Sequence, residues 1–211
     1  MLLIDSLITD GWLKTPGIIN AFRKIKREDF LPEDLKTLAE LNEAVLIGHG
    51  QTISQPLVVA FMLELLEPEE GNKVLDIGSG SGWTTALLSE IVGDIGKVIA
   101  VEIIPELKEF GKVNAEKYGF VSAGRTEFIC ADGSKGYPER KSRTEFSEGF
   151  DRILVSASAE FVPKAWREQL KINGRLVACI ENSIWLIVKK SEKDFEEIEH
   201  PGFAFVPLVT K

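Results

Sequence analysis

The chain has 211 residues, 44% of them hydrophobic, with 25 Lys and Arg against 33 Asp and Glu and a formal charge of −8. That length can bury a core of domain size, and the acidic balance argues against a nucleic-acid binder. Apolar runs stay short of a membrane span, Leu57–Leu66 being interrupted by Glu64. The opening MLLIDSLITDGW carries an acid where a signal peptide carries lysines. The expectation is a cytoplasmic monomer that contacts neither nucleic acid nor membrane. With two histidines, two cysteines and no CxxC, no metal centre is expected. Cys130 and Cys179 lie in apolar runs and read as reduced core residues.

In chain order, the first third reads as helical. Ile18, Ile19, Phe22 and Ile25 recur at helical spacing, with Arg23, Lys24, Lys26 and Arg27 on the wet side. Leu57, Val58, Phe61, Met62, Leu65 and Leu66 form a second stripe, with Pro56 in its first turn, where the missing N–H costs nothing. Ile47–Ser54 lies between the two. Two glycines and three small polar residues there describe a loop held close to something.

From Lys73 short apolar runs alternate with amphipathic segments. The runs are Lys73–Ile77, Lys97–Glu102, Thr126–Cys130, Phe150–Val155 and Arg175–Ile180. Between them Trp83–Val92 stops at Gly93, Pro105–Tyr118 stops at Gly119, and Pro163–Leu170 leads to Asn173-Gly174. This order predicts an α/β doubly wound, mostly parallel sheet. Ser183–Lys189 and Phe203–Val209 are expected to close it as an antiparallel hairpin, joined by the acidic segment Glu192–Glu199. The charge-dense stretch 139–148 reads as a solvated loop. We expect a single domain over residues 1–211, with a helical extension over 1–70 and the α/β core over 71–211.

Gly78-Ser79-Gly80-Ser81-Gly82 follows the strand Val74–Ile77 directly and opens the helix at Trp83. Glycines there permit a tight turn and let a ligand approach backbone N–H groups at a helix start. A dinucleotide site wants a third glycine at the sixth position, which here is Trp83. The tighter G-x-G-x-G, with Asp76 before it, resembles motif I of the class I methyltransferases instead. Glu102, ending the next strand, is placed to accept hydrogen bonds from both ribose hydroxyls of an adenosine. Asp132-Gly133, after the third strand, resembles the position of that family that contacts adenine. Ser54 admits two readings. Before Pro56 it is a natural helix N-cap, and in a polar loop it is a candidate for contact with a ligand.

The octapeptide Ile47-Gly48-His49-Gly50-Gln51-Thr52-Ile53-Ser54 is similar to the I-G-x-G-Q-T-I-S segment of the protein-L-isoaspartate O-methyltransferases. Arg27-Glu28-Asp29-Phe30-Leu31-Pro32 resembles the family's R-x-x-F-[VL]-P, Val101–Leu107 its ribose-binding segment, and Phe205-Val206-Pro207-Leu208 its terminal motif. The resemblance implies S-adenosylmethionine as the methyl donor and isoaspartyl-containing proteins and peptides as partners. It places Ser54 at the catalytic position. It places Gln51, Thr52, Ile53, Ser54, Asp76, Gly78, Ser79, Gly80, Ser81, Gly82, Glu102, Ile103, Asp132 and Gly133 on positions that contact the cofactor. Two departures bear on the acceptor: Gln55-Pro56-Leu57-Val58 stands where the family has A-P-H-M, and Ser156-Ala157-Ser158-Ala159 where it has small residues, often alanines.

The implied acceptor is the free α-carboxylate of an isoaspartyl residue. Ionised at pH 7, it is its own nucleophile and needs no general base, which suits a chain without a His, Lys or Cys constellation. A methyltransferase of the same fold with another acceptor is the second reading. A non-catalytic adaptor that keeps the nucleoside pocket is the third, and it fits less well with Ser54 beside an intact glycine turn.

Overall fold

Short apolar runs punctuated by proline and glycine fold here as the strands of one seven-stranded sheet. The structure is a computed structural model and describes residues 3–138 and 149–210; the charged stretch 139–148, expected as a loop, lies outside them. β3 (Lys73–Ile77), β4 (Lys97–Glu102), β5 (Thr126–Cys130), β6 (Phe150–Ala159) and β7 (Leu170–Ile180) run parallel, and β8 (Ser183–Lys189) and β9 (Phe195–Pro201) antiparallel. Their order is β5-β4-β3-β6-β7-β8-β9, with the reversal of winding between β3 and β6. Ligands of doubly wound sheets bind at the carboxyl edge beside such a reversal.

The parallel strands are apolar at successive positions because both faces are covered. Val74, Val98, Leu154 and Val177 face one buried cluster, and Leu75, Ile99, Ile153 and Leu176 the other. α4 (Trp83–Val92) and α5 (Pro105–Glu116) pack on the first face, together with α1 (Leu3–Thr9), α2 (Pro16–Lys24) and α3 (Pro56–Leu66). α6 (Lys164–Glu168) covers the second through the fully buried Trp166. The cluster on the first face runs from Leu7 to Leu186, so the N-terminal helices and the sheet share one core. In α2 the predicted stripe places Ile18 and Phe22 inward, Phe22 edge-on to Trp83 at 5.6 Å. Truncating such a ring costs about 3–5 kcal/mol. No described helix is long and apolar enough to cross a membrane, and no described group of His, Cys, Asp and Glu could hold a metal ion.

Four expectations are corrected. The last strand is Phe195–Pro201, not Phe203–Val209: the acidic segment itself pairs with β8, from Lys189↔Phe195 to Ser183↔Pro201. An edge strand exposed on both faces accommodates glutamates, and Glu196, Glu197 and Glu199 point to solvent there, guarding the edge against another chain. The apolar residues 203–209 are diverted to the carboxyl edge, Phe203 stacking on Phe61 at 5.3 Å. Second, Val45–Gly48 and Gln51–Ile53 are not a loop but a hairpin, β1 and β2, closed by His49 and Gly50 with φ of 54° and 70°. Positive φ at both turn residues matches the twist of a two-residue hairpin. Third, Cys130 is exposed, because β5 is the other edge strand; Cys179 is buried. Fourth, Arg27 is not on a wet face but is 7% exposed.

Candidate active site

The glycine turn joins β3 to α4 with φ of 75°, 49° and 83° at Gly78, Gly80 and Gly82, where side chains are strained. A Cβ at Gly82 would sit 2.7 Å from the Gly111 carbonyl oxygen, so only glycine lets α4 start this close to α5. Beneath the turn Asp76 is fully buried. Its Oδ2 accepts from Thr84 Oγ1 at 3.1 Å and Thr85 Oγ1 at 2.6 Å, tying the first turn of α4 to the strand. Burial raises its carboxyl to about 6, with the nearby Glu102 adding to the rise and the two hydroxyls opposing it.

Glu102 is 6% exposed, and both its oxygens are held by backbone. Gly80 N donates to Oε2 at 2.9 Å and Ile104 N to Oε1 at 3.0 Å. A carboxylate oxygen accepts twice, so each keeps acceptor capacity in a fixed direction. Asp132 is turned toward its own chain, accepting from Ser134 N at 3.0 Å and Ser134 Oγ at 2.6 Å. Gly133 packs so closely that a Cβ would overlap Ile77, and its carbonyl accepts from Trp166 Nε1 at 2.8 Å.

These groups border three adjoining spaces. The first is a cleft of about 500 Å³, counting space open to solvent, lined by Gln51, Thr52, Gly78, Gly80, Glu102, Ile103 and Gly133 among the predicted residues. Ile77, Val101, Ile104, Ser156, Ala157 and Val206–Val209 complete it, and sequence reasoning had not assigned these to the cofactor. The second is a hollow of about 290 Å³ against the turn, lined by Thr52, Ile53, Ser54, Gly78–Ser81, Trp83, Thr84 and Ser156. The third is a wider mouth, where Ala44, Gln55, Val58 and Ala204–Pro207 join Thr52, Ser54 and Ser156. Asp76, Gly82 and Asp132 line none of the three; they shape the turn and the strand end behind the site.

The hairpin brings Ser54 to the hollow, and the cap reading of that serine is corrected. α3 begins after Gln55 with no capping bond from Ser54. Leu57 N instead donates to Asn42 Oδ1 at 3.0 Å, while Gln55 Nε2 donates to Asn42 O at 2.8 Å. Asn42 is fifteen positions away, and no local pattern could have found it. Arg27 supports the segment from below. Its guanidinium donates to the carbonyls of Leu38, Ala39, Leu41, Glu43 and Ser54, the last at 3.2 Å, and lies 5.5 Å over the Trp83 ring. Burial lowers its pKa to about 10, which leaves it charged at neutral pH.

Residues 203–209 close the carboxyl edge as a strap. Ser158 N donates to Val206 O at 2.8 Å and Leu208 N to Ser158 O at 2.7 Å. The strap lines both cleft and mouth.

The model of the family described as protein-L-isoaspartate(D-aspartate) O-methyltransferase matches residues 1–211. The protein-L-isoaspartate O-methyltransferase of Methanopyrus kandleri is 39% identical, the match covering 98% of this chain and 89% of that one. That of Thermococcus onnurineus is 40% identical, over 98% and 91%. The chain belongs to the protein-L-isoaspartate(D-aspartate) O-methyltransferase family. Its fold follows a crystal structure from Plasmodium falciparum, described as a protein-L-isoaspartate O-methyltransferase in complex with S-adenosyl-L-homocysteine. The TM-score is 0.87 at 24% identity, over 99% of this chain and 97% of that one.

Within that family the two sequence departures fall around these spaces. Gln55 and Val58 line only the mouth, and the Gln55 amide is occupied by Asn42. Ser156 lines all three spaces, whereas Ala157 turns toward Gly78 and is buried.

Proposed function

We propose that the chain methylates the free α-carboxylate of isoaspartyl residues in damaged proteins, with S-adenosylmethionine as donor and Ser54 as the residue that orients the acceptor. The observation that supports this most is the place of Ser54: its hydroxyl has no hydrogen-bond partner among the described residues and borders the hollow between the Glu102 cleft and the open mouth. A group entering by the mouth meets Ser54 before it reaches the glycine turn.

The cleft suits the nucleoside part of the donor. The bare α-carbon of Gly80 leaves room that a side chain would take, since a Cβ there would already lie 3.3 Å from Ile47 Cδ1. Glu102 presents two fixed acceptors for paired hydroxyls, and Ile77, Val101 and Ile103 give an apolar floor. When bound, the donor supplies an electrophilic methyl on a sulfonium.

The remaining chemistry belongs to the protein's own groups. An acceptor carboxylate is already ionised at neutral pH, and among the described residues no His, Lys or Cys lines the hollow or the mouth to serve as a base. Catalysis then rests on holding one carboxylate oxygen in line for displacement. Ser54 donates to that carboxylate, and Arg27 fixes the Ser54 backbone from beneath. The strap and the hairpin narrow the approach to the hollow. We take the active form to be a cytoplasmic monomer.

The test is transfer of labelled methyl to a synthetic isoaspartyl peptide, with its aspartyl isomer as control. A base-labile methyl ester on the isoaspartyl peptide alone is expected. Binding of the donor with no transfer to that peptide would overturn the reading.

A further inference from the structure

We infer that Ser156 is a substrate-contacting residue, which with Thr52 and Ser54 forms an uncharged three-hydroxyl cradle for the acceptor carboxylate. The inference rests on the function proposed above and adds to it the chemistry of acceptor recognition.

The backbone brings Ser156 to the site by an irregularity. β6 pairs with β7 in register from Arg152↔Arg175 to Val155↔Ala178, and the next pair is Ser158↔Cys179. Two extra residues, Ser156 and Ala157, are therefore bulged out of the ladder. Bulges re-aim side chains and recur beside active sites. On its other side β6 leaves β3 at Ile77↔Val155, so Ser156 begins where the glycine turn begins, at the reversal of the sheet. Ala157 is 6% exposed and packs beneath Gly78, which leaves the partly buried Ser156 as the bulge residue that borders the hollow and the mouth.

Three hydroxyls thus converge on one passage. Thr52 and Ser156 line cleft, hollow and mouth; Ser54 lines hollow and mouth. None of the three is hydrogen-bonded through its side chain to a described residue. The neighbouring Ser158 and Ser134, by contrast, are committed to Glu181 O and to Asp132. Partly exposed hydroxyls without protein partners are available to a ligand. What they suit follows from what surrounds them: among the described residues, none that lines the hollow or the mouth is charged. A carboxylate arriving there meets no cationic clamp and takes its hydrogen bonds from neutral O–H donors. Neutral donors orient a carboxylate while leaving its charge in place, which suits a carboxylate that must itself act as nucleophile.

The experiment measures peptide affinity by calorimetry in the presence of saturating S-adenosylhomocysteine, so that nothing turns over. Two ligands are compared: an isoaspartyl peptide with its free α-carboxylate, and the same peptide with that group as a carboxamide. Ser156→Ala should weaken the carboxylate peptide about tenfold or more, since one hydrogen bond to a charged group is lost. The carboxamide peptide should lose about threefold or less, and Ser156→Thr, which keeps the hydroxyl, should restore affinity for the carboxylate. Equal losses for both peptides, no loss for either, or loss of S-adenosylhomocysteine binding would overturn the cradle while the isoaspartyl reading stands. If the unmodified chain fails to prefer the carboxylate peptide, the underlying reading falls and the cradle with it.

Discussion

The two halves of the site are built on opposite plans. On the side proposed for the cofactor stands a charged side chain whose geometry is already settled: Glu102 is buried and held through both oxygens by Gly80 N and Ile104 N. On the side proposed for the acceptor stand the neutral hydroxyls of Thr52, Ser54 and Ser156, with no side-chain partner among the described residues. A ribose carries two hydroxyls at a fixed spacing, so a rigid bidentate acceptor suits it. An isoaspartyl carboxylate arrives on varied peptides, and donors that rotate about one bond can follow it. Both halves hang on one buried cation, since Arg27 holds the Ser54 carbonyl and lies over Trp83, the first residue of α4.

The largest effect should come from removing that link. Arg27→Met leaves up to five carbonyls without their donor, and we expect a loss of about 3–5 kcal/mol of stability. Urea unfolding measures it; a loss below about 1 kcal/mol would mean that the segment 38–54 holds its own shape.

Next in size is a pH effect confined to the cofactor side. The Asp76 carboxyl stands at about 6 in the folded chain against an ordinary 3.8. Between those values the folded chain keeps a proton that the unfolded chain has released, so this group's contribution falls as pH rises through the window. The loss is on the order of 2–3 kcal/mol. Asp76→Asn should flatten that part of the stability profile; parallel profiles for the two proteins would contradict the buried carboxyl.

Glu102→Gln tests the rigid acceptor itself. An amide keeps one acceptor and turns an NH2 toward a backbone N–H, so donor affinity should fall about tenfold to a hundredfold with the fold intact. Calorimetry with S-adenosylhomocysteine reads this, and an unchanged Kd would reduce Glu102 to a brace for the glycine turn.

The two smallest effects form a pair. Ser54→Ala should lower turnover about tenfold, roughly 1.4 kcal/mol in the barrier, and shift stability by less than about 0.5 kcal/mol, because Ser54 is not the cap. Asn42→Ala should do the reverse, costing about 1 kcal/mol of stability with turnover of the folded fraction nearly kept. If the two variants exchanged these signatures, Ser54 would be the cap after all.

Much of the fold was legible because it depends on neighbours in sequence. The periodicity of Lys73–Cys130 with its proline starts and glycine stops delimits β3, α4, β4 and β5 to the residue, and α5 to within two residues at its end. The same holds for the glycine turn and for Glu102 at the end of a strand. A sheet buried on both faces leaves that signature in any chain, and so does a turn that only glycine can make.

What local pattern could not carry was decided by contacts between distant segments. The acidic run 195–201 became an edge strand because β8 offered it a ladder, and 203–209 became a strap because Ser158 offered two hydrogen bonds. Asn42 took the capping place at α3, and that released the Ser54 hydroxyl. Arg27, which spacing puts among wet lysines, went inside because five carbonyls of a folded-back segment converge on it. Local backbone preference is set by a residue and its few neighbours, so sequence alone named β3 to β8, the turn and the family. Which polar group meets which partner depends on where remote segments come to rest, and only the tertiary structure settles that.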